Sequence, residues 1–158
     1  MMSPFGKRDK GINGRNAIAA SNEHDVQAEF VRTALMFHGD CDITKQEEYV
    51  YRFRHQKLPA LKPNQISISG VKLTREEEDV IIVAFIRNSL EKAIRFEIVD
   101  IMIVDENGCV WAKKAFDLSS LGEIPARSSI VWRFLFEAGD ILAESIPDEE
   151  WQIAFGWK

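Results

Sequence analysis

The chain reads as a mainly β, antiparallel β-sandwich with an N-terminal helix and a disordered N-terminal tail. Three observations carry that reading. Residues 80–88, VIIVAFIRN, are apolar on both faces: Val80, Ile82, Ala84 and Ile86 point one way, and Ile81, Val83 and Phe85 the other. Such a run fits a central strand covered on both sides, because an edge strand this apolar would invite aggregation. After residue 64, six or seven strand-like runs recur every 8–15 residues with turn signals between them. The chain ends on an unbroken alternation of Trp151, Ile153, Phe155 and Trp157, the pattern of an amphipathic strand. Together these predict an immunoglobulin-like sandwich.

Taken in order, residues 1–28 are rich in Gly, Asn, Ser and charge, lack periodicity, and read as a disordered tail. Residues 29–64 form a lead-in. Alternation through Val31, Thr33, Leu35 and Phe37 favours a strand, and residues 39–42 a turn. Thr44 and Glu47 form a capping box that starts a helix running to about Gln56. On that helix Tyr49, Val50 and Phe53 make one apolar stripe, which leaves Arg52, Arg54 and His55 largely on the wet side. Pro59 and Pro63 stiffen the connector that follows.

Residues 65–158 are the predicted sandwich. In QISISGVKL the apolar register switches at Gly70, for which a β-bulge is the simplest explanation. Residues 74–79 (TREEED) form a charged turn before the central strand, and Arg87 and Asn88 at its exit fix the next loop. The run 94–104 is β-rich and expected to bend near Val99–Asp100. Asp105-Glu106-Asn107-Gly108 is a hairpin signal, since Asn and Gly tolerate positive φ. A return strand follows at 109–116, and a longer connection spans 118–127. Ser129–Phe136 puts Ile130, Trp132, Phe134 and Phe136 inward, and residues 138–146 hold a short helical turn.

Composition narrows the function classes. The 158 residues suit one domain with a self-sufficient core. A net charge of −5 argues against nucleic acid as the main partner. Cys41 and Cys109 are too few for a disulfide framework and read as two free thiols, with a single bridge as the alternative. No run reaches the length of a membrane span, and the basic N-terminus lacks the apolar segment of a secretory signal. The expected location is cytoplasmic, with membrane contact peripheral at most, through Lys7, Arg8, Lys10 and Arg15.

Residue types capable of chemistry do not assemble into a recognisable site. His38, Asp40, Cys41 and Asp42 lie close together, but a zinc site draws on two separated clusters, and His24, His55 and Cys109 lack paired spacing. No metal and no cofactor is expected. A Cys41–His55 nucleophile lacks an orienting group and an oxyanion hole. The acidic runs at 76–79 and 148–150 read as solvated turns. The chain is therefore expected not to be an enzyme. Trp111, Trp151, Phe155 and Trp157 are the candidate partner-binding residues, and residues 151–157 could accept an added strand if they lie at an edge.

The segments LPALKPNQISISGVKL, VIIVAFIRNSLEKAIRFE, FDLSSLGEIPARSS, WRFLF and IPDEEWQIAFGWK resemble the SLAP domain of accessory Sec system S-layer assembly proteins from Gram-positive bacilli. The resemblance runs from about Leu35 to Trp157, so residues 29–158 would be one SLAP-like domain. It implies a non-enzymatic factor that assists secretion or assembly of S-layer and other surface proteins. Its partner would be a protein, an accessory Sec component or an S-layer precursor. The family offers no catalytic residues to carry over. Two departures stand out. Longer members look like two copies of the domain, and Val131 stands before Trp132 where the family tends to have proline. The alternative function is a stand-alone sandwich module that binds cell-wall glycan or a small ligand through its aromatic residues.

Overall fold

The computed structural model describes residues 16–18, 30–39, 42–144, 146–147 and 150–157. Five strands form one sheet in the order β1 (Asn16–Ile18), β3 (Ile66–Glu76), β4 (Asp79–Asn88), β9 (Ser128–Phe136) and β2 (Ala34–Phe37). Three more form a second sheet in the order β10 (Gln152–Trp157), β6 (Ile98–Val104) and β7 (Val110–Asp117). A two-residue pair, β5 (Ile94–Arg95) with β8 (Glu123–Ile124), bridges the connections. The protein is thus mainly β, with one α-helix, α1 (Lys45–Lys57), among the described residues.

The central strand stands where its two apolar faces require. β4 pairs antiparallel with β3 on one side and β9 on the other. Val80, Ile82, Ala84 and Ile86 join a core shared with Val99, Ile101 and Ile103 of β6 and Ile153 and Phe155 of β10, so that core lies between the two sheets. Phe116 of β7 packs edge-on against Phe134 and Phe136 of β9 with ring centroids 5.1 and 5.2 Å apart. On the opposite face Val83 and Phe85 join Val71, Val131 and Tyr51 in a second core, under α1. Burying side chains of this size contributes roughly 1.5–3 kcal/mol each.

Several local predictions hold. Thr44 caps α1: its Oγ1 accepts from Glu47 N at 3.1 Å, and Thr44 N donates to Glu47 Oε1 at 3.1 Å. The β3–β4 register shifts between Gly70 and Lys72, the bulge read from the switched alternation. Gly108 turns the β6–β7 hairpin at φ +86°, while Asp105 Oδ1 accepts from Asn107 N and Cys109 N, both at 2.8 Å.

Other predictions need correction. The large sheet is mixed, because β2 runs parallel to β9. The break in the 94–104 run falls at Phe96–Glu97, where Phe96 turns into the core, and not at Val99–Asp100. The charged turn shortens to Glu77–Glu78, since Glu76 and Asp79 still pair. Within the segment expected to be disordered, Asn16–Ile18 pairs with Ser67–Ser69 of β3. The rest of 1–28 lies outside the described residues.

The helix stripe is also corrected. Tyr49, Val50 and Phe53 are exposed, and Tyr51 is the buried side chain. Tyr51, His55 and Leu58 stand four and three residues apart, on the stripe that meets the sheet. The rings of Tyr51 and His55 both pack edge-on against Phe85.

Candidate functional site

The four aromatic candidates do not form one face. Trp151 is 1% exposed and Phe155 3% exposed, both in the core between the sheets. The period-two alternation that singled them out is what turns them inward. Trp111 is half-buried against the same core, and its carbonyl accepts from Leu142 N at 2.7 Å and Ala143 N at 3.2 Å. Trp157 ends β10 opposite Val99; its side chain lies outside the described residues. Trp151 and Phe155 therefore offer no side-chain surface to a glycan, whereas β10 lies at an edge of the second sheet, the condition that strand addition at residues 151–157 requires.

The residues considered for chemistry are dispersed. The His38 ring meets Trp132 edge-on at 5.3 Å between centroids. Cys109 is an exposed free thiol beside the β6–β7 turn. Cys41, Asp40 and His24 lie outside the described residues. Among the described residues no group of three or more His, Cys, Asp or Glu is placed to hold a metal ion, and no helix is long and apolar enough to cross a membrane.

A surface of different character lies along α1. Because Tyr51 takes the sheet side, Tyr49 (73% exposed), Val50 and Phe53 (51% exposed) are left on the outside. Large apolar side chains grouped in this way mark an interaction surface more often than scattered ones do. The helix also stands off from β3 along the bulge. One cavity of about 380 Å³ is lined by Phe53, Leu58, Gly70, Val71 and Phe85. A second, of about 190 Å³, is lined by Thr44, Glu47, Val50, Tyr51 and Lys72. Arg54 and Val71 line both.

The bulge explains this geometry. Val71 has no partner on β4, and its carbonyl accepts from Arg54 Nη1 at 2.9 Å. That bond ties helix to strand and divides the groove into its two hollows. The rim is cationic: Lys57 sits over the Phe53 ring at 5.1 Å and Lys72 over the Tyr51 ring at 5.8 Å. Glu47 is the carboxylate among the lining residues, and it serves the helix cap. Its pKa is lowered, chiefly by the backbone hydrogen bond at Thr44, with a lesser contribution from Lys72. A groove with an apolar floor and Arg54, Lys57 and Lys72 on its rim suits an apolar segment flanked by acidic residues.

Sequence reasoning named the stripe but turned it inward. The competing signal was present in Tyr51, His55 and Leu58, an alternative stripe that ends on a leucine.

The family model of the SLAP domain matches residues 35–157, which include α1, the whole second sheet, and the large sheet except β1 and the first residue of β2. No curated protein and no solved structure matches the chain.

Proposed function

The chain belongs to the SLAP domain family, and on that premise we propose a non-enzymatic accessory factor that assists secretion or assembly of S-layer and other surface proteins. It acts by binding protein, either an accessory Sec component or an S-layer precursor. It works in the cytoplasm, with membrane contact peripheral at most. The observation that carries this reading is the groove between α1 and β3, with Val50 and Phe53 exposed in its lining beside a cationic rim and Tyr49 exposed on the same helix. The scaffold is read as an immunoglobulin-like sandwich, with β3, β4 and β9 facing β10, β6 and β7.

The test is photo-crosslinking from position 53 in a Gram-positive host that carries accessory Sec genes. The expected adduct joins the protein to an accessory Sec component or an S-layer precursor, and a deletion strain should lose export of its surface protein. No such adduct, together with normal export from the deletion strain, would sink the proposal.

A further inference from the structure

A third pocket, of about 310 Å³, lies where the end of α1 meets the exit of the central strand. Arg32, Thr33, His55, Gln56 and Arg87 line it. Its volume is at the lower end of small-ligand cavities, about 300–1,000 Å³. Arg87 is only 3% exposed. Its Nη2 donates to Pro59 O at 2.7 Å, while its buried Nε has no hydrogen-bond partner. Arg32 is exposed and donates from Nη1 to Leu58 O at 3.2 Å. Two guanidinium groups thus hang from consecutive carbonyls of the connector, one buried and one at the mouth.

None of the lining residues is acidic. The ion pairs among the described residues engage Arg52, Lys114 and Arg127, and neither Arg32 nor Arg87. A buried guanidinium without a counter-charge is costly, and an unsatisfied donor on it adds to that cost. The cost of the uncompensated charge falls if an anion enters the pocket that Arg87 lines. The remaining groups suit one. Thr33 Oγ1 lies 3.3 Å from His55 Nε2 and hydrogen-bonds Ser129 Oγ, and Gln56 supplies an amide. A guanidinium has only donors, in a planar fork that matches two oxygens of a carboxylate or phosphate.

We propose that Arg32, Thr33, His55 and Arg87 form a binding site for a small oxyanion, a phosphate or carboxylate group. The positive field of the pocket also acts on its own members. His55 is lowered to about 4 by burial first, then by Arg87 and Arg32. Arg87 is lowered to about 10, again by burial first and then by Arg32. The site is distinct from the groove at β3 and does not depend on the secretion reading.

The test is calorimetry and imidazole NMR on the full chain at fixed ionic strength, with inorganic phosphate in one arm and acetate in the other. Saturable binding is expected, with the His55 pKa rising by a unit or more as the anion binds. Arg32→Gln should weaken binding at least tenfold; Arg32 is exposed, so the variant keeps the fold even where Arg87→Gln does not. Arg52→Gln, a cation outside the pocket, should leave binding unchanged. Saturation by phosphate alone assigns a phosphate group, and saturation by both anions a general oxyanion site. No saturable binding of either anion, or binding undiminished in Arg32→Gln, overturns the proposal.

Discussion

Asn88 reaches across the fold to Ile124: its Nδ2 donates to the Ile124 carbonyl at 3.2 Å. The same amide group lies 3.1 Å from Lys92 O and 3.1 Å from Pro125 O, and Asn88 Oδ1 accepts from Leu90 N at 2.8 Å. One buried carboxamide at the exit of β4 therefore holds both the loop that follows and the β8 connection. Removing it strands the buried Ile124 carbonyl and the part-buried groups at Leu90, Lys92 and Pro125, at about 1–3 kcal/mol for each buried group left unsatisfied. Asn88→Ala should lower the free energy of unfolding by about 2–4 kcal/mol, read by urea denaturation. Asn88→Asp should cost more, because a carboxylate would face carbonyl oxygens. A loss under about 0.5 kcal/mol in Asn88→Ala would show that the loops hold without it.

The orientation of α1 makes a second, sharper prediction. Tyr51 is 2% exposed and packs against Phe85, whereas Tyr49 faces out. Truncating a buried aromatic ring costs about 3–5 kcal/mol, while truncating an exposed one changes stability by about 0.5 kcal/mol or less. Tyr51→Ala should therefore destabilise strongly and Tyr49→Ala hardly at all, in the same denaturation assay. Equal effects would mean that the helix lies on the sheet differently.

That pair also shows what a sequence can and cannot carry. The role of β4 was legible because both of its faces are apolar, and two faces demand two layers. The bulge was legible because the alternation changes phase at Gly70. The cap was legible because Thr44 and Glu47 act within one turn. The side of α1 that meets the sheet was not legible. Tyr49, Val50 and Phe53 make a stripe as good as Tyr51, His55 and Leu58, and the choice between them was made by Phe85 and Val83 on a distant strand. The parallel pairing of β2 with β9 was hidden for the same reason, since it depends on partners far apart in the chain. The pocket around Arg87 is hidden more deeply. Arg32, His55 and Arg87 are unremarkable apart, and only the fold brings them together without a carboxylate.

The third prediction is a pH dependence. His55 titrates at about 4 in the folded protein against an ordinary value of 6.5, because burial and the two neighbouring arginines disfavour its charged form. The unfolded chain binds the proton more readily, so stability rises with pH between about 4 and 6.5. The His55 contribution is complete above the unfolded value and is lost as the pH falls through the folded one. Thermal melts across this window should show the midpoint falling with acidification, and His55→Gln should flatten the fall. An unchanged slope in His55→Gln would assign the acid sensitivity elsewhere. Asp117, whose pKa is lowered by its hydrogen bonds to Ser119, contributes at the acid end of the range.

The fourth prediction concerns the groove between α1 and β3. Its rim carries Arg54, Lys57 and Lys72, and of these Arg54 is committed to the Val71 carbonyl. Lys57 and Lys72 are held over the aromatic rings of Phe53 and Tyr51 by weak attraction and can turn toward a partner. Charges on a rim act mainly through encounter rate and salt dependence, whereas apolar anchors act through dissociation. The double variant Lys57→Glu, Lys72→Glu should slow association with an acidic-flanked partner about tenfold and remove most of its salt dependence. Phe53→Ser should speed dissociation and leave the salt dependence intact. Surface plasmon resonance from 50 to 500 mM salt separates the two. If neither variant alters either rate, the partner docks elsewhere, and the exposed stripe on α1 needs another occupant.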